Sequence, residues 1–242
     1  MNIQKTIRYL FPSFCLAFYP ALAITGSPMD ASIIKEALAE TICPTNIEVM
    51  VKGSDQQDSK SYEESTEPQR HFETKALWRS YRYMKGEQTR ALNYAASADE
   101  DPEMRTRALF HFGMLLHTSS CFYRNTTFLR EQIERLASIT GGDFDPYSID
   151  LFDWRKLGDP GSTAGLKLIE RENRKVLLDQ VVAGTTLAKV ARGLSIREAR
   201  RQWDYFETLI RNRYHGRADT ILAALKSASC PSLEPQEEPL LQ

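Results

Sequence analysis

The sequence predicts an all-α protein, a multi-helix bundle forming a single domain. Apolar residues recur at three- and four-residue intervals through most of the chain. Residues 109–116 are apolar almost all round, as in a helix at the centre of a bundle. Helix punctuation is explicit: Ser27-Pro28 and Asp101-Pro102 each place a capping residue before a proline at the first helical position, and Gly141-Gly142 is a stop. The length of 242 residues suits one domain with tails, and 42% hydrophobic with 26% charged residues is ordinary for a globular chain. A net charge of −1 provides no global attraction to nucleic acid or to an anionic membrane.

Residues 1–23 have the organisation of a signal peptide. Lys5 and Arg8 make a positive start, residues 10–20 are mostly apolar, and Ala21-Leu22-Ala23 is a small-x-small cleavage site. The apolar run is short for a bilayer span, and no later stretch reaches that length. The expectation is an exported chain, periplasmic or secreted, with its folded domain over 24–230 and no transmembrane segment after cleavage. Residues 231–242 are acidic and proline-rich, the composition of a disordered tail. Cleavage leaves Cys43, Cys121 and Cys230. An odd number permits one disulfide, with Cys43–Cys230 as the pair that would tie the chain ends together and Cys121 as a buried thiol.

A first helix is expected over 27–42, with Ile33, Ile34, Ala37, Leu38 and Ile42 on its apolar stripe. Residues 45–51 read as a short second element and 53–69, rich in Gly, Ser, Asp, Gln and Glu, as a loop. After His71-Phe72-Glu73, a helix is carried by Leu77, Trp78, Tyr81, Met84, Ala91, Leu92 and Ala95, with Gly86 a mild interruption. Residues 96–102 turn, and the central helix then runs from Asp101-Pro102 to about Ala137. Residues 143–154 form an acidic, aromatic loop that lacks the calcium-binding EF-hand spacing, with its Phe, Tyr and Trp pinning it to the bundle. Further helices are expected over 164–183, 185–192, 196–214 and 218–228. The segment Thr186 to Ala199 also reads as a helix-turn-helix around Gly193, with Arg197, Arg200 and Arg201 placed to meet phosphates.

Within the central helix, His117, Cys121 and Asn125 are spaced by four and four, which stacks three side chains on one face. Inward-facing ligands in helical bundles are arranged this way. Leu116-His117-Thr118, Phe122-Tyr123 and Phe128 keep the frame of L-H-T-x-x-D-F-Y-x-H-S-N-[FY], and His71-Phe72-Glu73 lies near H-F-D. On these motifs the chain resembles the zinc-dependent phospholipase C-like proteins, including the HET-C-like branch, over roughly residues 45–225. The resemblance implies a helical bundle of the phospholipase C/P1 nuclease type. Cys121 stands at the family's Asp, Asn125 at its second His and Thr127 at its Asn. The family's second ligand helix carries His and Glu, whereas the matching segment, Thr185 to Ala191, has neither.

A clustered-metal phosphodiester centre needs more His, Asp and Glu ligands than these motifs retain. The expected remnant is one zinc at most, held from among His71, Glu73, His117 and Cys121, since imidazole, carboxylate and thiolate all suit that ion. Asp55 and Asp58 fall where the resembled family also places acidic ligands. A Cys121–His117 nucleophile pair can be drawn, but no orienting third group is visible in the sequence. Asn125-Thr126-Thr127 is a glycosylation sequon on an expected buried helix. The functional expectation is a non-catalytic binding or structural module with a dismantled metal site and a protein or lipid partner. The alternative is a metal-dependent phospholipase or phosphodiesterase with altered ligands. DNA binding is disfavoured by the export signal and the charge.

Overall fold

The computed structural model describes residues 28–58 and 67–227. The segment expected to be a signal peptide, Cys230 and the acidic C-terminal stretch lie outside the described residues. Eight α-helices and one two-stranded hairpin make up the regular structure among them: α1 (Pro28–Leu38), α2 (Pro44–Gln57), α3 (Leu77–Ala95), α4 (Pro102–Asn125), α5 (Phe128–Thr140), α6 (Arg171–Leu178), β1 (Val181–Val182), β2 (Thr185–Thr186), α7 (Leu187–Arg213) and α8 (Ala218–Ser227). The all-α expectation holds. Among the described residues no helix is long and apolar enough to cross a membrane.

α4 is the axis of the bundle. Asp101 caps it, accepting from the amides of Glu103 (2.8 Å) and Met104 (3.4 Å), with Pro102 in its first turn. Such a cap is worth about 1 kcal/mol. Two apolar cores lie along α4. One gathers Ile34, Leu38, Met50, Phe112, Leu115, Trp203, Phe206 and Leu225; the other gathers Phe72, Leu77, Phe122, Phe128, Phe152, Val190 and Leu194. Between Leu116 of the first core and Phe122 of the second runs a buried polar stretch, His117 to Ser120, followed by Cys121. The candidate site occupies that gap.

α2 extends well past residue 51, so the loop expected from position 53 onward gives way to helix through Gln57. The cause is a backbone-to-backbone crossing. A Cβ on Gly53 would lie 2.1 Å from the Phe110 carbonyl oxygen, and one on Gly113 would lie 1.9 Å from that of Met50. Two glycines let α2 press directly on α4, and this burial outweighs the weak helix propensity of Gly53, Ser54 and Asp55.

The central helix is shorter than expected. It stops at Asn125, and Thr126 is extended (φ −119°, ψ 162°). Here the chain 167–169 takes over the backbone bonds: Thr127 N–H donates to the Lys167 carbonyl (2.9 Å) and Ile169 N–H to that of Asn125 (2.8 Å). Thr127 then starts α5, which Gly141 ends at φ 70°. The helix expected over 164–183 is likewise reduced to α6, because 167–169 is spent on that strand-like pairing, and Val181–Val182 pairs with Thr185–Thr186 across Ala183-Gly184.

The helix-turn-helix expectation is overturned. α7 runs unbroken through Gly193, so there is no turn. Its arginines hold the protein together: Arg197 donates to the carbonyls of Tyr147 (3.1 Å) and Ile149 (2.8 Å), Arg200 to that of Ala37 (3.2 Å), and Arg201 to that of Phe152 (2.8 Å). The aromatic loop is pinned by Phe152 and Trp154, and Tyr147, 46% exposed, shares a hydrogen bond between its hydroxyl and that of Thr185 at 3.1 Å. Glu198 anchors it from α7, fully buried, accepting from Tyr123 Oη (2.8 Å), Trp154 Nε1 (2.8 Å), Gln202 Nε2 (2.6 Å) and Arg201. Cys43 lies beside the last helix, its N–H donating to the Lys226 carbonyl at 2.7 Å.

Candidate metal centre

Four elements meet in the polar gap. α4 presents His117, Cys121 and Asn125 on one face. α2, held close by the glycine crossing, brings Ser54 and leads into Asp58. The first turn of α1 inserts Asp30. A 3-10 turn, Pro68–His71, brings His71. That turn is closed by Phe72 in a left-handed conformation (φ 51°), its ring buried edge-on against Phe122 at 5.2 Å.

The donor atoms converge. His117 Nε2 lies 3.0 Å from His71 Nδ1 and 3.5 Å from Cys121 Sγ. Asp58 Oδ1 stands 3.7 Å from His117 Nε2 and 3.9 Å from His71 Nδ1. Zn–N bonds of about 2.0–2.1 Å and a Zn–S bond of about 2.3 Å put tetrahedral nitrogens about 3.3 Å apart, and nitrogen and sulfur about 3.5 Å apart. The two spacings from His117 Nε2, 3.0 Å to His71 and 3.5 Å to Cys121, lie near that shape, and all three donor atoms fall within 4.8 Å of one another. His71, His117 and Cys121 form one possible metal-holding group and Asp30, Asp58 and His117 another, sharing His117.

The other edge of His117 is held as metal-binding imidazoles usually are, with the distal nitrogen on a carboxylate. His117 Nδ1 lies 3.3 Å from Asp30 Oδ2 and 3.4 Å from Ser54 Oγ. Asp30 is 2% exposed and also receives Arg124 Nη2 (3.0 Å) and Ser120 Oγ (3.2 Å). Arg124 Nη2 is 3.4 Å from Cys121 Sγ as well. His71 and Asp58, about one quarter exposed, are where the cluster reaches solvent.

Electrostatics prepare the ligands. Burial alone would push the Cys121 thiol up, but the charges of His117 and Arg124 bring it down to about 6. Burial also opposes charge on His117, yet Cys121 and Asp30 raise its pKa well above the ordinary value. Despite burial, Arg124 and His117 hold the Asp30 carboxyl well below the usual carboxylate range. Burial, and then the charges of Asp58 and Asp30, push Asp55 up. The pocket edge is therefore electronegative, a field that a bound cation would relieve.

Of the sequence candidates, His71, His117 and Cys121 come together. Glu73 does not: beyond the left-handed Phe72 it turns away and pairs with Arg174 at 3.0 Å. Asp58, from a segment read as an acidic loop, stands beside them, 3.7 Å from His117 Nε2. Asn125, read as a lost ligand, donates from Nδ2 to the His71 carbonyl at 2.6 Å and so positions a ligand instead. Thr127, the other altered position, serves the helix break: its hydroxyl accepts from Lys167 N–H (3.0 Å) and donates to Glu131 Oε1 (2.5 Å). His111 lies elsewhere, on Glu87 (2.7 Å). Asp30, Ser54 and Arg124 were not singled out from the sequence, because no spacing relates them to His117.

Asp30 also supplies the third group of a Cys121–His117–Asp30 triad. Cys121 is only 4% exposed, however, and its thiol faces His117 and Arg124 rather than a substrate cleft. The arrangement suits metal ligation better than nucleophilic attack. No family model, no curated protein and no solved structure matches this chain.

Proposed function

We propose that the chain is an exported helical binding or structural module that holds one zinc ion at His71, His117, Cys121 and Asp58. Its bundle is of the phospholipase C-like kind, with a multi-metal hydrolytic centre reduced to a single site. What supports the reading is the convergence of two imidazoles and a thiol near tetrahedral spacing, with the Asp58 carboxylate 3.7 Å from His117 Nε2 on the solvent side and a buried Asp30 behind His117. Four protein donors close a zinc shell, which is the structural arrangement; a catalytic site keeps three and leaves a position open. Zinc here would tie α2, α4 and the 71 turn together across the gap between the two cores.

The position of Asp58 favours a second reading. Its oxygen stands 3.7 and 3.9 Å from the two nitrogens, beyond the ideal edge, on the solvent side. With Asp58 withdrawn, three donors remain and the ion would supply Lewis acidity to a phosphodiester.

Metal analysis and cobalt substitution of the folded chain test both. The expected result is one zinc per chain retained through dialysis, a four-coordinate cobalt spectrum whose thiolate charge-transfer band vanishes in Cys121→Ser, and no hydrolysis of a generic phosphodiester. Zinc-dependent turnover lost in His117→Ala would favour the second reading. A chain that takes up neither zinc nor cobalt would refute both.

A further inference from the structure

A second cleft, of about 300 Å³, lies where α3, α4, α7 and the 3-10 turn Trp154–Leu157 meet. It is separate from the metal centre. Leu115 at its base and His117 in the cluster are two residues apart on α4, so they point about 200° away from each other. The cleft is at the small end of the range for ligand sites, on the order of 300–1,000 Å³.

Its walls are aromatic and its base apolar. The rings of Tyr81 and Trp154 are nearly parallel, 5° apart in orientation with centroids 6.4 Å apart, and Tyr205 lines another side. Met84 and Leu115 are buried beneath. Trp154 is fixed in place, its Nε1 committed to Glu198 and its ring packed on Phe122 at 4.9 Å. A wall this constrained has little freedom to lose when a ligand binds.

The charges are unequal. Arg155 is answered by Asp153, with contacts of 2.9 Å, and Arg201 by Glu198. Lys85 has no carboxylate partner among the described residues. Its ammonium donates to the neutral Gln88 Oε1 and lies 5.3 Å from the Tyr205 ring centroid. Burial pushes its pKa down, the mark of a cation held away from water without a counter-ion. Such a group costs stability that an incoming anion would return.

We propose that this cleft binds a small organic carboxylate with a flat ring, the carboxylate on Lys85 and the ring against Tyr81, Trp154 and Tyr205. The flat walls select planarity, and the lone ammonium selects one negative charge. Gln88 and Gln202, buried in its lining, are neutral hydrogen-bonding groups suited to polar substituents.

The test is calorimetric titration of the folded chain with 1-naphthoate and with its neutral amide, 1-naphthamide. Expected is one naphthoate per chain, with naphthamide at least tenfold weaker. Lys85→Met should weaken naphthoate at least tenfold and leave naphthamide unchanged; Lys85→Arg should stay within about threefold of the parent, since cation–ring and cation–carboxylate contacts both survive. Lys85→Met should also melt close to the parent, because it removes a half-buried charge that has no carboxylate partner; if it does not fold, Lys85→Gln serves the same arm. Naphthoate that fails to bind, that binds equally well to Lys85→Met, or that binds no better than the amide overturns the proposal.

Discussion

Asn125 Nδ2 donates to the carbonyl oxygen of His71 at 2.6 Å, so the last residue of the central helix holds the turn that carries a metal-ligand candidate. Partners that orient a ligand from behind typically matter 10- to 100-fold in metal affinity. Asn125→Ala should therefore weaken zinc binding by about 10- to 100-fold while keeping all four donors. Competition against a chromogenic zinc chelator measures it. An unchanged affinity would mean that His71 is held by other contacts.

Gly113 and Gly86 are both helical glycines, yet opposite outcomes are expected from adding a methyl group. At Gly113 the new Cβ would lie 1.9 Å from the Met50 carbonyl oxygen, which only separation of α2 from α4 can relieve; at Gly86 nothing lies within 4 Å. Gly113→Ala should destabilise by roughly 3 kcal/mol or more, and Gly86→Ala should stabilise by about 0.5–1 kcal/mol. Urea unfolding decides, and a tolerated Gly113→Ala would contradict the close crossing. The same variant should also lose zinc, since the crossing sets the distance from Asp58 to His117.

Asp30 and Arg124 form a buried pair at 3.0 Å. Removing one partner from such a pair leaves an expensive charge behind. Asp30→Asn should cost on the order of 3 kcal/mol, and Asp30→Asn with Arg124→Gln together should cost less than the sum of the two single changes. A double-mutant cycle with a coupling energy near zero would show that the pair contributes nothing.

Tyr123 sets an alkaline limit. Burial, then the neighbouring Glu198 carboxylate, raise its pKa well above the ordinary value, with Arg201 opposing; burial raises Tyr83 in the same direction. A raised folded-state pKa means stability is intact below the unfolded value of about 10 and falls as pH rises past it, since only the unfolded chain then releases the proton. Each such tyrosine should remove about 1.4 kcal/mol per pH unit above that point. Unfolding free energies from about pH 8 to about pH 11 should fall less steeply for Tyr123→Phe than for the parent, and equal slopes would contradict the assignment.

Helix periodicity and capping are local properties, so the amino-acid order alone disclosed α1, α3, α4 and α8, the start at Asp101-Pro102 and the shared face of His117, Cys121 and Asn125. Competition between distant segments is not local, and there the reading failed. α2 reaches Gln57 because Gly53 meets α4, and α4 ends at Asn125 because 167–169 captures its backbone. α7 passes through Gly193 because its arginines bond to carbonyls of neighbouring elements. The metal centre divides the same way. Two donors lie one helical turn apart and were visible as a pair, whereas Asp30 and Ser54 behind them, and the turning of Glu73 toward Arg174, depend on chain packing that brings together groups up to 101 positions apart. Coordination is a matter of ångströms in space, and only the folded chain converts sequence separation into those distances.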